Sequence, residues 1–312
     1  MAEHERIAII GAGHVGSTAA YALMLRALFH EIVLIDSDTA LAEAEAADLS
    51  DANALARPAR IWAGSYADAA TAQIAVLTAG AATHGAESRL SVASQSAMIV
   101  TTCVGELVQA GFTGIILVAA NPVDLMTLVA LRRSGFAAAR VIGTGTLLDS
   151  SRLKQTLAES LQVAAGSIDG LVLGEHGDSE VAAFSTVLVG GLPLSEFCPP
   201  GQELDQDQIA TEVRGAGYRI VQGKGYTSFG VATAIVRICE VILRNERAVL
   251  PVSALLTGQY GITDVCLSLP CILGAGGVER ILLPALTHAE TTALGASAKA
   301  LQQALASMDQ AG

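Results

Sequence analysis

The chain has 312 residues, of which 52% are hydrophobic and 15% charged, and its formal net charge is −12. A chain of this length usually forms more than one hydrophobic core, which predicts two domains. The negative charge disfavours nucleic acids and anionic membrane surfaces as partners, and no apolar run is long enough to span a bilayer. The acidic N-terminal residues, Glu3 and Glu5, are unlike the basic start of a signal peptide, so we expect a cytoplasmic protein.

The first half of the chain alternates short β-branched runs with alanine-rich helical stretches. The pattern predicts strands at 6–11, 32–36, 74–78, 115–119 and 140–143. Helices are predicted at 15–28, 39–50, 89–110 and 123–134. This alternation of strands and helices predicts an α/β fold with a doubly wound parallel sheet.

The pattern changes after Gly143. We predict a helix at 146–161, short strands within 168–190, a break at 199–201 and long helices within 205–247. One strand is predicted on each side of Tyr260, and a last helix is predicted at 287–308. The chain is therefore expected to divide into a first domain at 1–143 and a second, α+β domain at 144–312.

A glycine-rich segment, Gly-Ala-Gly-His-Val-Gly, runs from Gly11 to Gly16 between a predicted strand and a predicted helix. Its glycines allow a tight turn and let a pyrophosphate approach the helix N-terminus. Asp36 ends the second strand, where a carboxylate can accept hydrogen bonds from an adenine ribose. Since Asp38 is nearby and no arginine follows, the pattern favours NAD over NADP. A glycine-rich turn without a ligand is the alternative.

His176 lies in a polar, glycine-flanked turn directly after the apolar run 171–173. Such a turn presents an imidazole to a cleft, where a side chain that titrates near neutral pH is suited to proton exchange. Most isolated histidines have structural roles, but the flanking Glu175 and Asp178 favour a functional one here. His84 is ambiguous.

Asp149 and Arg152 are three residues apart on a predicted helix, so they project from one face. A carboxylate there can orient an imidazole, and the guanidinium can bind a substrate carboxylate through two hydrogen bonds. The spacing is equally typical of an ordinary surface ion pair.

Two further polar residues follow predicted strands. Arg89 comes after a glycine-containing loop, where it could be carried over a bound substrate or simply begin a helix in solvent. Asn121 follows the strand at 115–119 and is therefore expected at the carboxyl edge of the sheet, where such folds bind ligands. The five cysteines form no Cys-x-x-Cys pair, which predicts reduced thiols and no zinc site.

Eight segments resemble, in order and spacing, those of the L-lactate/malate dehydrogenase family, and most closely its L-lactate dehydrogenase branch. They are GAGHVG (11–16), TAGA (78–81), ESRL (87–90), NPVD (121–124), LDSSR (148–152), GEHGDS (174–179), KGYTS (224–228) and LPCILG (269–274). The resemblance covers essentially the whole chain. It implies a Rossmann-type doubly wound parallel sheet followed by an α+β substrate and catalytic domain.

The resemblance also implies roles for individual residues. His176 would be the acid/base, Asp149 its orienting carboxylate, and Arg89 the group that polarises the reacting carbonyl. The residues implied to bind substrate are Arg152, Asn121, Asp124, Thr227 and Thr83. Those implied to bind the cofactor, NAD, are Gly11, Gly13, Val15, Gly16, Asp36, Tyr66, Gly80, Ala81, Asn121 and Thr144. The expected activity is NAD-dependent reduction of a 2-oxo acid, with pyruvate to L-lactate as the first choice.

One position departs from the family pattern. Six residues before the loop arginine, lactate enzymes carry glutamine and malate enzymes carry arginine, whereas this chain has Thr83. A second substrate carboxylate then lacks a charge partner, which counts against oxaloacetate, and the smaller side chain leaves room for bulkier 2-oxo acids. Because the neighbouring His84 could supply some positive charge, malate dehydrogenase remains the alternative function.

Two positions bear on regulation. Bacterial lactate dehydrogenases that fructose 1,6-bisphosphate activates carry arginine and histidine where this chain has Lys154 and Asp169. An aspartate repels a bisphosphate, so this activation is not expected. A homodimer or homotetramer is expected.

Two other classes of protein fit the sequence less well. A short-chain dehydrogenase needs a Tyr-x-x-x-Lys pair, and none occurs. A non-catalytic NAD-binding protein would be expected to lose His176, Arg152 or Arg89, and all three are present.

Overall fold

A computed structural model of the chain describes residues 5–56, 58–81, 89–198, 201 and 204–311, with the side chains of all of these except 89–91 and 309–311. The described part of the first half contains eleven α-helices and β-strands, which alternate as the sequence predicts. They are β1 (Arg6–Ile10), α1 (His14–Arg26), β2 (Glu31–Ile35), α2 (Thr39–Asn53), β3 (Arg60–Ala63), α3 (Tyr66–Ala69), β4 (Ile74–Leu77), α4 (Arg89–Gln109), β5 (Ile115–Val118), α5 (Val123–Ser134) and β6 (Val141–Gly143). Strand β3 and helix α3, which are only four residues long, were not predicted from the sequence.

The second half begins with α6, whose first turn carries Asp149. Its elements are α6 (Leu147–Leu161), β7 (Ile168–Leu173), β8 (Val181–Val189), β9 (Leu192–Pro193), α7 (Leu194–Phe197), α8 (Gln206–Lys224), α9 (Phe229–Leu243), β10 (Ala248–Thr257), β11 (Thr263–Gly274), β12 (Gly277–Ile281) and α10 (His288–Ala311). The two long helices predicted within 205–247 are α8 and α9, and the strands predicted around Tyr260 are β10 and β11.

A nine-stranded sheet runs through the molecule in the order β12-β11-β10-β6-β5-β4-β1-β2-β3. The six strands from β3 to β6 pair in parallel, in the strand order of a doubly wound dinucleotide-binding fold. This confirms the predicted fold class. The second half extends the same sheet, because β10 pairs antiparallel with β6 through Ser253 and Gly143, and β11 and β12 follow.

The central strands are apolar throughout because both faces of the sheet are covered. In β1, Ala8 and Ile10 face one core, and Ile7 and Ile9 face the other. Helices α4, α5 and α10 pack on the first face, whereas α1, α2 and α9 pack on the second. This double cover fixes the carboxyl ends of the strands at one edge, where β1, β2, β4 and β5 all lead into loops.

A separate three-stranded antiparallel sheet, β7-β8-β9, packs with α6 and α8 around a third core. Leu153 and Leu157 of α6 meet Val172 of β7 and Val213 of α8 there. This core holds α6 against the turn between β7 and β8, and that turn carries His176. No helix within the described ranges combines the length and the apolar character needed to cross a membrane.

Candidate active site

The turn between β7 and β8 brings His176 onto the first turn of α6. Nδ1 of His176 lies 2.5 Å from Oδ2 of Asp149. The Asp149 side chain is only 2% exposed, whereas that of His176 is 27% exposed. One imidazole nitrogen therefore contacts a buried carboxylate, while part of the ring remains accessible to solvent.

The other oxygen of Asp149 holds Arg152. Nη1 of Arg152 donates a hydrogen bond to Oδ1 of Asp149 at 2.9 Å. The sequence left open whether this spacing meant a surface ion pair, and the structure shows a pair that is largely buried, with the Arg152 side chain 18% exposed. Guanidinium has five N–H donors, so the remaining ones are free to bind a carboxylate through two hydrogen bonds.

The start of α6 is fixed by contacts to two strands. The Thr146 hydroxyl donates a hydrogen bond to the Val172 carbonyl at 2.5 Å, and the Thr146 N–H donates to Oγ of Ser268 at 3.2 Å. Ser268 also exchanges two backbone hydrogen bonds with Gly174. Gly174 is the first residue of the turn at 174–180 that carries His176, which we call the catalytic turn. Both partners in the His176–Asp149 contact are therefore anchored to the same strands.

Asp124 supports the turn from the opposite side. Its Oδ2 accepts a hydrogen bond from the backbone N–H of His176 at 2.8 Å, and its Oδ1 accepts one from the Ser253 hydroxyl at 2.6 Å. The residue is 2% exposed, and this burial raises the pKa of the Asp124 carboxyl to about 6, against the stabilising effect of Ser253 and the His176 N–H. Asp124 holds the backbone of His176 in place.

The Asp149 carboxylate controls the protonation of His176. Burial disfavours the imidazolium, but the negative charge of Asp149 outweighs this and raises the pKa of His176 to about 9. Burial also acts on Asp149, whose pKa is nevertheless lowered because His176 and Arg152 both stabilise its negative charge. Through neutral pH the site thus holds an imidazolium beside a carboxylate, ready to donate a proton.

Of the other residues predicted to contact substrate, the structure describes only some. Asn121 is exposed in the bend after β5, as expected for the carboxyl edge, and its peptide bond to Pro122 is cis. Thr227 is half-buried between α8 and α9. Thr83, His84 and the side chain of Arg89 lie outside the described residues.

Two charged residues near His176 were not singled out from the sequence. Glu180 ends the catalytic turn with only 6% of its surface exposed, and Arg214 lies on α8. Each has a buried polar atom, Oε1 and Nε respectively, with no hydrogen-bond partner in the described part of the chain. Ser179 and Glu180 end a polar turn, where such residues are ordinarily exposed to solvent. The packing that buries Glu180 therefore leaves no signal in the local sequence.

A second site lies at the carboxyl ends of β1 and β2, where the chain passes close to itself. Gly11 has φ +104°, and a Cβ there would lie 2.5 Å from the Ala79 nitrogen. A Cβ on Gly16 would lie 1.9 Å from the Gly11 carbonyl oxygen, whereas one on Gly13 meets nothing within 4 Å. Gly11 and Gly16 are thus required by the turn itself, and Gly13 leaves open space in front of the N-terminus of α1, as a bound pyrophosphate requires.

Asp36 faces this glycine turn. Its Oδ2 accepts a hydrogen bond from the Ala12 N–H at 2.7 Å, and its Oδ1 accepts one from the Asp38 N–H at 3.0 Å. Asp36 and Tyr66 line a cleft of about 430 Å³ together with residues of β1 and α4. The cleft is thus lined by a carboxylate that can accept hydrogen bonds from a ribose.

The remaining predicted cofactor residues lie along the same edge of the sheet. Ala81 donates its N–H to Oγ of Ser96 at 3.1 Å, and Gly80 precedes it. Thr144, which follows β6, donates its N–H to the Val118 carbonyl at 2.9 Å. Val15 lies in the first turn of α1. Among the described residues, no group of three His, Cys, Asp or Glu side chains is placed to hold a metal ion.

Comparison with protein families matches nearly the whole chain. Residues 5–143 match the NAD binding domain of lactate/malate dehydrogenase, and residues 146–311 match the alpha/beta C-terminal domain of the same enzymes. This chain belongs to the lactate/malate dehydrogenase family. The family and the cofactor, NAD, are those predicted from the sequence.

Individual relatives cover the chain from end to end. An L-lactate dehydrogenase from Treponema denticola is 41% identical over 97% of this chain and 98% of its own length. One from Acetivibrio thermocellus is 39% identical and covers 98% of both chains. Among solved structures, the minor L-lactate dehydrogenase from Enterococcus mundtii in its ligands-bound form superposes with a TM-score of 0.94 at 38% identity, covering 97% of this chain and 98% of that one.

Proposed function

We propose that this protein is an NAD-dependent L-lactate dehydrogenase that interconverts pyruvate and L-lactate. The observation that carries the proposal is the arrangement around Asp149, whose two oxygens hold the imidazole of His176 and the guanidinium of Arg152. It places a proton donor beside a cation that can bind a carboxylate, and a 2-oxo acid presents a carbonyl next to a carboxylate.

His176 and Arg152 divide the work on the substrate. Arg152 would bind the substrate carboxylate, and His176 would deliver a proton from Nε2 to the carbonyl oxygen while Asp149 stabilises the imidazolium. NAD supplies the hydride chemistry when it is bound. In the direction of lactate oxidation the same imidazole must be neutral, so alkaline solution favours oxidation and neutral solution favours reduction.

Asp124 has a different role from the substrate contact that the family resemblance implied. Because both of its oxygens accept hydrogen bonds from the chain, we propose that it positions the backbone of His176. Arg89 would polarise the substrate carbonyl, and Asn121 and Thr227 would line the substrate pocket, as the resemblance implies.

The cofactor residues fit a dinucleotide that lacks a 2′-phosphate. Gly11, Gly13 and Gly16 would let the pyrophosphate approach α1, and Asp36 would accept hydrogen bonds from the adenine ribose. Val15, Tyr66, Gly80, Ala81 and Thr144 would line the rest of the groove. A 2′-phosphate would meet the Asp36 carboxylate, so we expect NADH to be used at least about tenfold better than NADPH.

The substrate is proposed to be monocarboxylic because Thr83 is neutral and short. A second carboxylate sealed into the site without a charge partner would cost several kcal/mol. Pyruvate is the first candidate, and the space left by threonine extends the range to bulkier 2-oxo acids.

A panel of 2-oxo acids tests this proposal. NADH consumption is measured with pyruvate, phenylpyruvate and oxaloacetate on wild type and Thr83→Arg, with His84→Ala alongside. Wild type should prefer the monocarboxylic acids, and Thr83→Arg should shift the ratio of specificity constants toward oxaloacetate by roughly 1 to 3 kcal/mol. A wild type that favours oxaloacetate, and loses the preference in His84→Ala, would identify a malate dehydrogenase instead.

We also propose that 1–143 and 144–312 are the cofactor and catalytic domains, that the chain forms a homodimer or homotetramer, and that it acts in the cytoplasm. The match to the NAD binding domain ends at residue 143 and the match to the C-terminal domain begins at residue 146, which supports the division into two domains.

The proposed assembly is supported by α1. Tyr21 and Leu25 on one face of this helix are 46% and 53% exposed, as expected for a subunit contact. Light scattering after size exclusion tests the assembly, and a monomer at micromolar concentration would contradict it.

A further inference from the structure

Glu180 is the most deeply buried glutamate near the catalytic turn. Its backbone N–H donates to the Gly177 carbonyl at 3.2 Å and closes the turn just before β8 begins. The residue is 6% exposed, and its Oε1 has no hydrogen-bond partner among the described residues. A carboxylate without a donor is costly to bury, so this position calls for an explanation beyond packing.

Charged groups from three segments act electrostatically on Glu180. They are Asp149 and Arg152 on α6, His176 in the same turn and Arg214 on α8. Helix α8 packs against both α6 and β8 and closes the cluster. Asp124 from α5 also acts on His176, so three carboxyl groups surround one imidazole.

No hydrogen bond joins Oε1 of Glu180 to these cations in the described structure. Arg152 donates to Asp149 at 2.9 Å, and Nε of Arg214 has no hydrogen-bond partner among the described residues. Burial, reinforced by the negative charge of Asp149, raises the pKa of Glu180 to about 8, although His176, Arg214 and Arg152 oppose the shift. The raised pKa favours the uncharged form of Glu180, which lowers the cost of burying it.

We propose that Glu180 is a positioning residue for proton transfer, whose buried carboxyl group at the end of the His176 turn holds the proton on His176 in alkaline solution. The negative charge of Glu180 is one of those that raise the pKa of His176 to about 9. It stabilises the imidazolium and extends reduction of the 2-oxo acid to higher pH. The inference rests on the acid/base role proposed for His176, but the ionisation of Glu180 does not.

The first test measures the carboxyl group directly. Carbon-13 NMR of the protein labelled at glutamate Cδ follows each carboxyl through a pH titration, and the Glu180 signal is assigned by its loss in Glu180→Gln. We expect a midpoint near 8 for Glu180. A midpoint near the ordinary glutamate value of about 4.3 would overturn the proposal. Since no substrate is needed, the result stands even if no 2-oxo acid is reduced.

The second test compares pH profiles. Glu180→Gln keeps the size and burial of the side chain but cannot ionise, and Glu212→Gln makes the same change at a partly exposed position of α8. For Glu180→Gln we expect the pH at which kcat/KM for pyruvate falls on the alkaline side to be lower than in wild type by roughly 0.5 to 1 pH unit. The profile of Glu212→Gln should match wild type.

A purely structural role predicts a different result. Glu180→Gln would then lower kcat/KM by the same factor at every pH and leave the alkaline limb where wild type has it. That outcome would contradict the proposal, as would an equal displacement of the limb in Glu212→Gln. Urea unfolding of both variants shows whether their folded fractions are comparable.

Discussion

The cofactor cleft and the acid/base centre are built by different means. The glycine turn of the cleft is formed by close approach of backbone, since Gly16 packs against the Gly11 carbonyl and Gly11 packs against the main chain of Thr78 and Ala79 after β4. The acid/base centre is formed by side chains from distant segments, since Asp124 bonds to the turn 52 residues later and to Ser253 129 residues later. Close approach of backbone therefore shapes the first site, whereas hydrogen bonds between distant side chains assemble the second.

This difference determines which property, NADH binding or turnover, a substitution in each site should impair. A substitution in the cleft introduces a steric clash or blocks the cofactor, and the catalytic groups stay in place. A substitution in the acid/base centre leaves a buried charge without its partner or removes the proton donor, and the cofactor cleft stays intact. Variants in the two regions should therefore separate NADH binding from turnover.

His176→Asn should show the largest effect. The amide keeps a polar group in the turn but cannot exchange a proton, so turnover should fall by at least about 100-fold to 10,000-fold. NADH affinity, measured by fluorescence titration, should change little. His288→Asn, at an exposed position at the start of α10, serves as the matched control and should keep wild-type activity. Near-normal turnover in His176→Asn would identify another proton donor.

Arg152→Lys should show the next largest effect. An ammonium group can remain paired with Asp149, but it cannot reproduce the planar pair of hydrogen bonds to a substrate carboxylate. Loss of one charge-assisted hydrogen bond predicts a decrease in kcat/KM of roughly 10-fold to 150-fold, mostly through KM. Unchanged saturation kinetics would mean that another residue binds the carboxylate.

Two alanine substitutions test the cleft. Gly16→Ala puts a Cβ 1.9 Å from the Gly11 oxygen, so the turn must move and unfolding should become easier by about 1 to 3 kcal/mol. Gly13→Ala meets nothing within 4 Å, so it should keep the stability of wild type but bind NADH more weakly. Urea melts and NADH titrations of both variants measure this. Equal destabilisation by the two would contradict the distinction between a glycine needed by the chain and one needed by the cofactor.

The contrast between the two regions also explains what the sequence could predict. The alternating strands and helices and the glycine turn with Asp36 are local patterns, and these predictions agree with the structure. The pairing of β10 with β6 was not predicted, because it joins Ser253 to Gly143 across a long stretch of chain. The contact between Asp149 and His176 was implied by family resemblance, since spacing alone did not distinguish it from a surface pair. The burial of Glu180 depends on α8, so its own segment contains no sign of it.

The central claim is that Asp149 keeps His176 protonated through neutral pH so that it can donate a proton to a 2-oxo acid. The most direct test is kcat/KM for pyruvate reduction at saturating NADH from about pH 6 to about pH 10, because this parameter reports the ionisation of the enzyme before substrate binds. We expect a level profile that falls only as pH rises through about 9, the pKa of His176. A decline centred near the ordinary histidine value of about 6.5, or a rate that rises with pH, would contradict it.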